Sequence, residues 1–381
     1  MSRLFIGREN ELAALGEHYR SNKAELIVIY GRRRIGKTEL IKQFVKEKAE
    51  VYYLCTKEGL LVQLQRLGKI IAEQIGHTTP LISEPDDFGR FVLSFAKHKR
   101  FVLAVDEFPF MLDGDKAAAS VWQRLWDEFL VGSKIYLILC GSSIAMMESE
   151  VLGVKSPLYG RRTGQLKLLP LKFIETLRFY PRLKIEDAVY LFGLTDGIPF
   201  YIAEMDSAAG FFENVERKLL RKDQLLYEEP QLLLKEELRE PHLYKQILKA
   251  IAGGCTKLTD ICNKSGVPQN QITKYLNVLL ELNFIEKRVP VTVRKPISKQ
   301  TLYFVKDNFF LFYFRFVEPN KYLIEQDMQD EAVAKIRPEI DNFIGRFVFE
   351  RIVRELAAGG KLQGMLPKVA FTKIGSWWSR H

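Results

Sequence analysis

The chain is short of cysteine, of long apolar runs and of repeats, and each shortage excludes a class of protein. Four cysteines in 381 residues, Cys55, Cys140, Cys255 and Cys262, form no C-x-x-C pair. With Cys140 in a predicted buried strand as well, they read as reduced, packed thiols in a cytoplasmic protein rather than as disulfides or a zinc site. No stretch approaches the roughly 18–20 consecutive apolar residues that cross a bilayer, so no membrane partner is expected. The start, Met1-Ser2-Arg3-Leu4-Phe5-Ile6-Gly7-Arg8-Glu9, passes at once into a charged helical pattern and carries no signal-peptide core. Internal repeats and low-complexity tracts are absent too. At 47% hydrophobic residues the chain is long enough for two or three domains with cores of their own.

Net charge is scarce in the first part and plentiful in the last. Of the overall +10, residues 1–240 carry +1 and residues 241–381 carry +9. A basic surplus of that kind points to nucleic acid or another acidic partner, or else to a solvated face that keeps the protein soluble.

Against this background one octapeptide stands out. Gly31-Arg32-Arg33-Arg34-Ile35-Gly36-Lys37-Thr38 spells G-x-x-x-x-G-K-T. The glycines let successive backbone N–H groups turn inward on phosphate oxygens, Lys37 reaches the β- and γ-phosphates, and the Thr38 hydroxyl ligates Mg²⁺. A strand-length apolar run, Leu26–Tyr30, precedes it, and Thr38–Lys46 follows with helical spacing. Strand, glycine turn and helix N-terminus are the context an anion site requires. About 70 residues on, Phe101-Val102-Leu103-Ala104-Val105 ends in Asp106-Glu107. There Asp106 would hold Mg²⁺ and Glu107 would polarise the attacking water. A third run, Lys134–Cys140, ends at Gly141-Ser142-Ser143, and Ser142 at that strand tip would sense the γ-phosphate. ATP with Mg²⁺ is the ligand these residues predict.

Residues 1–170 alternate strand and helix signals, with strands expected at 26–30, 50–54, 101–105, 135–140 and 165–169, the rhythm of an α/β fold with a parallel sheet. Residues 171–240 read as helical, a lid broken once at Thr195-Asp196-Gly197-Ile198-Pro199. Residues 241–318 read as a winged helix-turn-helix: three helices, then wing strands at Phe284–Val293 and Thr301–Val305. If its third helix reads duplex DNA, Gln269, Asn270, Gln271, Thr273, Lys274 and Asn277 form the polar face, with Arg294, Lys295 and Lys299 on the wing for phosphates. The alternative is a winged helix used only as a contact surface, within the chain or for a protein partner.

Phe5-Ile6-Gly7-Arg8-Glu9, Tyr30–Thr38, Val105-Asp106-Glu107-Phe108, Cys140–Ser143, Leu158–Gly164 and Gly197-Ile198-Pro199 together resemble the archaeal-type P-loop ATPases of the STAND branch of AAA+-like proteins. The resemblance covers nearly the whole chain. It implies that Gly7 and Arg8 pack near the adenine and that Gly197-Ile198-Pro199 is the lid motif standing where other ATPases carry a lid arginine, with Pro199 at the nucleotide. It also implies that Arg161 and Arg162 follow the sensor strand, where they neutralise γ-phosphate charge in cis or in trans, unless they form a solvated turn. Residues 319–381 resemble the start of a restriction-nuclease-like domain, with Phe347–Leu356 as its first helix. The acid-x-Lys metal residues of such a domain are absent before His381, which implies a truncated or remnant domain in which Glu350 alone makes no nuclease.

Three functions compete. One is an ATP-driven switch that controls display of the winged helix to a partner. Another is a DNA-binding or DNA-processing protein with a regulatory ATPase. The third, a scaffold that binds ATP without hydrolysing it, is disfavoured by the presence of Glu107.

Overall fold

The computed structural model describes residues 5–292, 301–360, 362, 373, 375 and 376. It falls into two units, Met1–Leu169 and Pro170–His381. Arg294, Lys295 and Lys299 lie outside the described residues.

In the first unit α1 (Glu9–Arg20) leads into β1 (Glu25–Tyr30), α2 (Lys37–Val45), β2 (Glu50–Leu54), α3 (Leu60–Ile75) and α4 (Pro85–Ala96). Then come β3 (Phe101–Asp106), α5 (Phe108–Gly114), α6 (Ala118–Leu125), β4 (Ile135–Gly141), α7 (Ile144–Met146) and β5 (Gly164–Lys167). All strands are parallel, in the order β2-β3-β4-β1-β5. The sequence explains which strands are central. The runs in β1, β3 and β4 are apolar on both faces and bury every residue, as strands covered by helices on each side must. At the edges, β2 buries only alternate residues and β5 buries none of its four fully.

On one face Leu26, Val28, Leu103, Val105, Leu137 and Leu139 pack with Leu64, Leu67, Phe88 and Trp122. Full burial of each such side chain contributes about 1.5–3 kcal/mol. On the other face Tyr136 donates to the carbonyl of Leu15 at 3.0 Å and stacks near Tyr19 and Phe44. Register aligns Tyr30 with Gly141 and Val105 with Leu139. The carboxyl ends of β1, β3 and β4 therefore lie side by side, and the segments that follow them open on one edge of the sheet.

The second unit contains α8 (Phe173–Leu177), α9 (Ile185–Thr195), α10 (Pro199–Glu204), α11 (Phe211–Leu219), α12 (Leu225–Glu237) and α13 (Pro241–Ala252). These are followed by α14 (Leu258–Ser265), α15 (Gln269–Glu281), β6 (Ile285–Arg288), β7 (Leu302–Val305) and α16 (Asn308–Phe312). The last helices are α17 (Lys321–Ile324), α18 (Gln329–Ile336), α19 (Ile340–Phe343) and α20 (Glu350–Ala358). Its core is the aromatic run at Phe309–Phe316, where Phe309 meets Tyr201 with ring centroids 4.3 Å apart, Phe310 meets Phe284 and Phe312 meets Phe343. Side chains from all three segments expected within 171–381 meet in that core.

The break between α9 and α10 has a local cause. Asp196 and Gly197 adopt φ of 53° and 71°, and Ile198 is extended, as a residue before proline must be. Pro199 then opens α10, where its missing N–H is not needed. A Cβ on Gly197 would lie 2.0 Å from the carbonyl oxygen of Leu171. Asp196 accepts from the Asn308 N–H at 3.1 Å and ion-pairs with Arg351 of α20.

Between α14 and α15 the turn runs through Gly266 at φ 70°. The antiparallel ladder pairs Ile285 with Val305 and Arg288 with Leu302. Among the described residues the first wing strand spans Ile285–Arg288, and the expected end of that strand, Val293, lies outside the described residues. Among the described residues no helix is long and apolar enough to cross a membrane. All four cysteines are free.

Candidate active site

The loop between β1 and α2 is shaped by backbone that only a few residues tolerate. Gly36 has φ 90°, Arg34 φ 70°, and a Cβ on Gly31 would stand 2.6 Å from the Leu168 carbonyl oxygen. Ile35 anchors the loop in the core. Gly36 is the N-cap of α2, so the N–H groups of the first helical turn, at Lys37 and Thr38, which have no partner within a helix, border the loop. Lys37 is buried, and its Nζ donates to the carbonyls of Gly31 at 2.9 Å and Arg32 at 3.1 Å. The ammonium is thereby held within the loop.

Thr38 Oγ1 donates to Asp106 Oδ2 at 2.7 Å. The same oxygen accepts from the Tyr52 hydroxyl at 2.6 Å, and Asp106 Oδ1 accepts from the Glu107 N–H at 2.9 Å. Asp106 is only 1% exposed. Burial pushes its pKa up, but bonds from the Cys140 thiol, Tyr52, Thr38 and the Glu107 N–H outweigh that and hold it below the usual aspartate value. Tyr52 is shifted strongly upward by burial and by its bond to Asp106, so it remains a neutral donor.

Glu107 sits in left-handed backbone, φ 52° and ψ 42°, at the N-cap of α5. Its Oε2 accepts from Ser142 Oγ at 2.7 Å and more weakly from the Ser142 N–H at 3.3 Å. The residue expected to sense phosphate therefore also holds the candidate base. Arg8, buried and at φ 67°, donates to the carbonyls of Ile35 at 3.2 Å and Leu169 at 2.6 Å and pairs with Glu11 at 2.9 Å. It and Gly7 adjoin the loop, and the Arg8 guanidinium is spent on clamping loop backbone.

Lys37, Thr38, Asp106, Glu107 and Ser142 thus converge. Arg161 and Arg162 do not join them. Thr163 N–H bonds the Leu26 carbonyl and Gly164 pairs with Ile27, beside the start of β1. The arginines consequently lie at the amino end of the strand, roughly 13 Å along it from the phosphate loop at ~3.3 Å per residue. Arg161 ion-pairs with Asp127 at 3.0 Å, and Arg162 donates to the Leu152 carbonyl and lies over Tyr159. The direction of β5, which sequence spacing does not reveal, sets both arginines apart from the loop within one chain. Pro199 belongs to the second unit. Gln269, Asn270, Gln271, Thr273, Lys274 and Asn277 are all exposed on α15.

Sequence reasoning missed Tyr52 and Cys140 as partners of Asp106. The available signal was positional and slight: Cys140 stands near the carboxyl end of β4 and Tyr52 in the middle of β2, the two strands flanking β3.

Thr38 and Asp106 suit a hard divalent cation, since both offer oxygen, they touch, and the carboxylate stays ionised. Among the described residues no group of three or more His, Cys, Asp and Glu forms a separate metal cluster.

Residues 5–205 match the family described as an ATPase domain predominantly from Archaea. Residues 313–381 match a family of archaeal and bacterial proteins of unknown function. An uncharacterized protein of Methanocaldococcus jannaschii is 38% identical over 377 residues, 99% of this chain and 82% of its own length. An uncharacterized ATP-binding protein of the same organism is 51% identical over 45 residues, 12% of this chain and 76% of its own length. The Walker-type ATPase of Pyrococcus abyssi shares the fold, with a TM-score of 0.60 and 19% identity over 82% of this chain and 96% of that one. The phosphate loop, the parallel sheet that presents it and these matches make one statement: the chain belongs to the archaeal-type P-loop ATPases, nucleotide-binding enzymes that hydrolyse ATP.

Proposed function

We propose that ATP binds at Gly31–Thr38 and is hydrolysed by in-line attack of a water positioned by Glu107. Lys37 meets the charge of the β- and γ-phosphates, as loop backbone N–H groups do. Thr38 and Asp106 hold Mg²⁺, which when bound neutralises charge on the transferring phosphoryl group. Glu107, kept in place by Ser142, orients the water and takes its proton as the new P–O bond forms. The bond to the leaving β-phosphate oxygen breaks, and ADP departs with that electron pair. Arg161 and Arg162 have no part in this step within one chain. The observation that carries the reading is the continuous hydrogen-bonded set joining Thr38, Asp106, Glu107 and Ser142 beside Lys37. Equilibrium binding of a fluorescent ATP analogue to wild type and Lys37→Ala tests it: the variant loses binding, and unchanged affinity would overturn the assignment.

We further infer that hydrolysis works as a switch, on a plan of ATPase core (1–170), helical lid (171–240), winged helix (241–318) and nuclease-like segment (319–381). Supporting this, the left-handed break at Asp196-Gly197 is tied directly to Arg351 of α20 and to the start of α16. A change of backbone there must disturb both.

A second reading, duplex DNA as the partner, is favoured by the exposure of all six of these polar residues of α15 in the basic part of the chain. Retention of duplex by the full chain should fall linearly in log–log terms with salt, with a slope of about −0.9 per phosphate contacted. No retention at ~50 mM salt, where such contacts are strongest, would leave a protein partner as the target.

A further inference from the structure

The metal-site carboxylate carries a donor that belongs to none of the sequence motifs. Tyr52 stands on edge strand β2, paired in register with Ala104 of β3, two residues before the pair Leu54–Asp106. Its side chain leans along the sheet so that the phenol donates to Asp106 Oδ2 at 2.6 Å, the oxygen that also accepts from Thr38 at 2.7 Å.

We propose that Tyr52 is a positioning residue for the divalent ion of the ATP complex, fixing the Asp106 carboxylate so that Thr38 and Asp106 form a ready-made oxygen site. This rests on the reading that those two residues hold the ion. Asp106 is almost wholly buried, so its orientation is set by protein donors: the Cys140 thiol, Thr38, the Glu107 N–H and Tyr52. Beside the Cys140 thiol, the Glu107 N–H holds Oδ1 and Tyr52 supplies to Oδ2 a donor that does not depend on what Thr38 contacts. A tyrosine suits the task because a rigid ring with two rotatable bonds loses little freedom when it is ordered. Outer-shell groups of this sort typically alter metal affinity 10–100-fold when removed.

The test uses the full chain with Mn²⁺ as the probe, its binding to the protein–ATP-analogue complex followed by electron paramagnetic resonance. Nucleotide affinity in excess EDTA and the melting temperature are measured alongside. Tyr52→Phe keeps the ring and its approach to Lys42. The expected result is an unchanged metal-free nucleotide affinity and fold, with the Mn²⁺ concentration for half-saturation raised about tenfold. Tyr52→His, which retains an N–H donor, recovers part of that loss, whereas Tyr52→Leu does not. This second pair gives the same comparison should Tyr52→Phe fail to fold. Wild-type Mn²⁺ affinity in both Tyr52→Phe and Tyr52→Leu, with Asp106→Asn weakened, overturns the role of Tyr52 alone. Wild-type affinity in Asp106→Asn overturns the metal-site reading and this proposal with it.

Discussion

Replacing Glu107 by Gln and by Ala separates chemistry from architecture at one position. In Glu107→Gln the amide oxygen still accepts from Ser142 Oγ, now 2.7 Å from Oε2, and the backbone at φ 52° is unchanged. Only the capacity to take a proton is lost. A positioned general base contributes about 10²–10⁴ in rate. At ~1.36 kcal/mol per tenfold this corresponds to about 2.7–5.4 kcal/mol of barrier. Single-turnover phosphate release should slow by that factor, while affinity for the nucleotide, which Glu107 does not contact in this mechanism, stays within about threefold. Glu107→Ala removes the acceptor as well. Ser142 is buried, and leaving its hydroxyl unsatisfied costs about 1–3 kcal/mol. At ~2–4 °C per kcal/mol for a unit of this size, the alanine variant should melt roughly 2–12 °C lower while the glutamine variant matches wild type. Equal phosphate release by wild type and Glu107→Gln would refute Glu107 as the base. Equal melting of the two variants would refute the structural value of the Ser142 bond.

Gly197→Ala should destabilise the second unit by at least ~2 kcal/mol in denaturant unfolding, since left-handed strain costs about 1–3 kcal/mol and the new Cβ meets the Leu171 carbonyl; a loss within ~0.5 kcal/mol would contradict the described turn. Glu355 has its pKa raised by burial, offset in part by the Phe173 N–H and by Arg351 and Lys172. The folded state then holds this proton at a pH where the unfolded chain has released it, so wild-type stability falls as the pH rises above the ordinary value of 4.5. Glu355→Gln keeps the acceptor for Phe173 and removes the titration, so its melting temperature relative to wild type should climb between pH 4 and pH 7; a difference that stays flat across that range would count against the buried setting of Glu355.

What the sequence determined by itself is what short-range chemistry controls. Runs apolar on both faces can only be inner strands of a covered sheet, and β1, β3 and β4 are those runs. Glycines at 31 and 36 permit backbone that a phosphate loop needs, and Pro199 forces Ile198 to be extended, whatever lies around them. The candidates Lys37, Thr38, Asp106 and Glu107 were legible for the same reason, each standing at a strand end or a glycine turn. Tertiary structure decided everything that depends on strand order and direction. The order β2-β3-β4-β1-β5 puts Asp106 between Tyr52 and Cys140, and neither neighbour is marked in the local pattern. Ser142, expected to face phosphate, gives its hydroxyl to Glu107 because β4 lies beside β3. Arg8 clamps Ile35 and Leu169 across 27 and 161 residues of chain. The direction of β5 carries Arg161 and Arg162 to the end of the sheet away from the loop. Periodicity reports which face of an element is buried; only the closing of distant contacts, at the cost of chain entropy, chooses what that face meets.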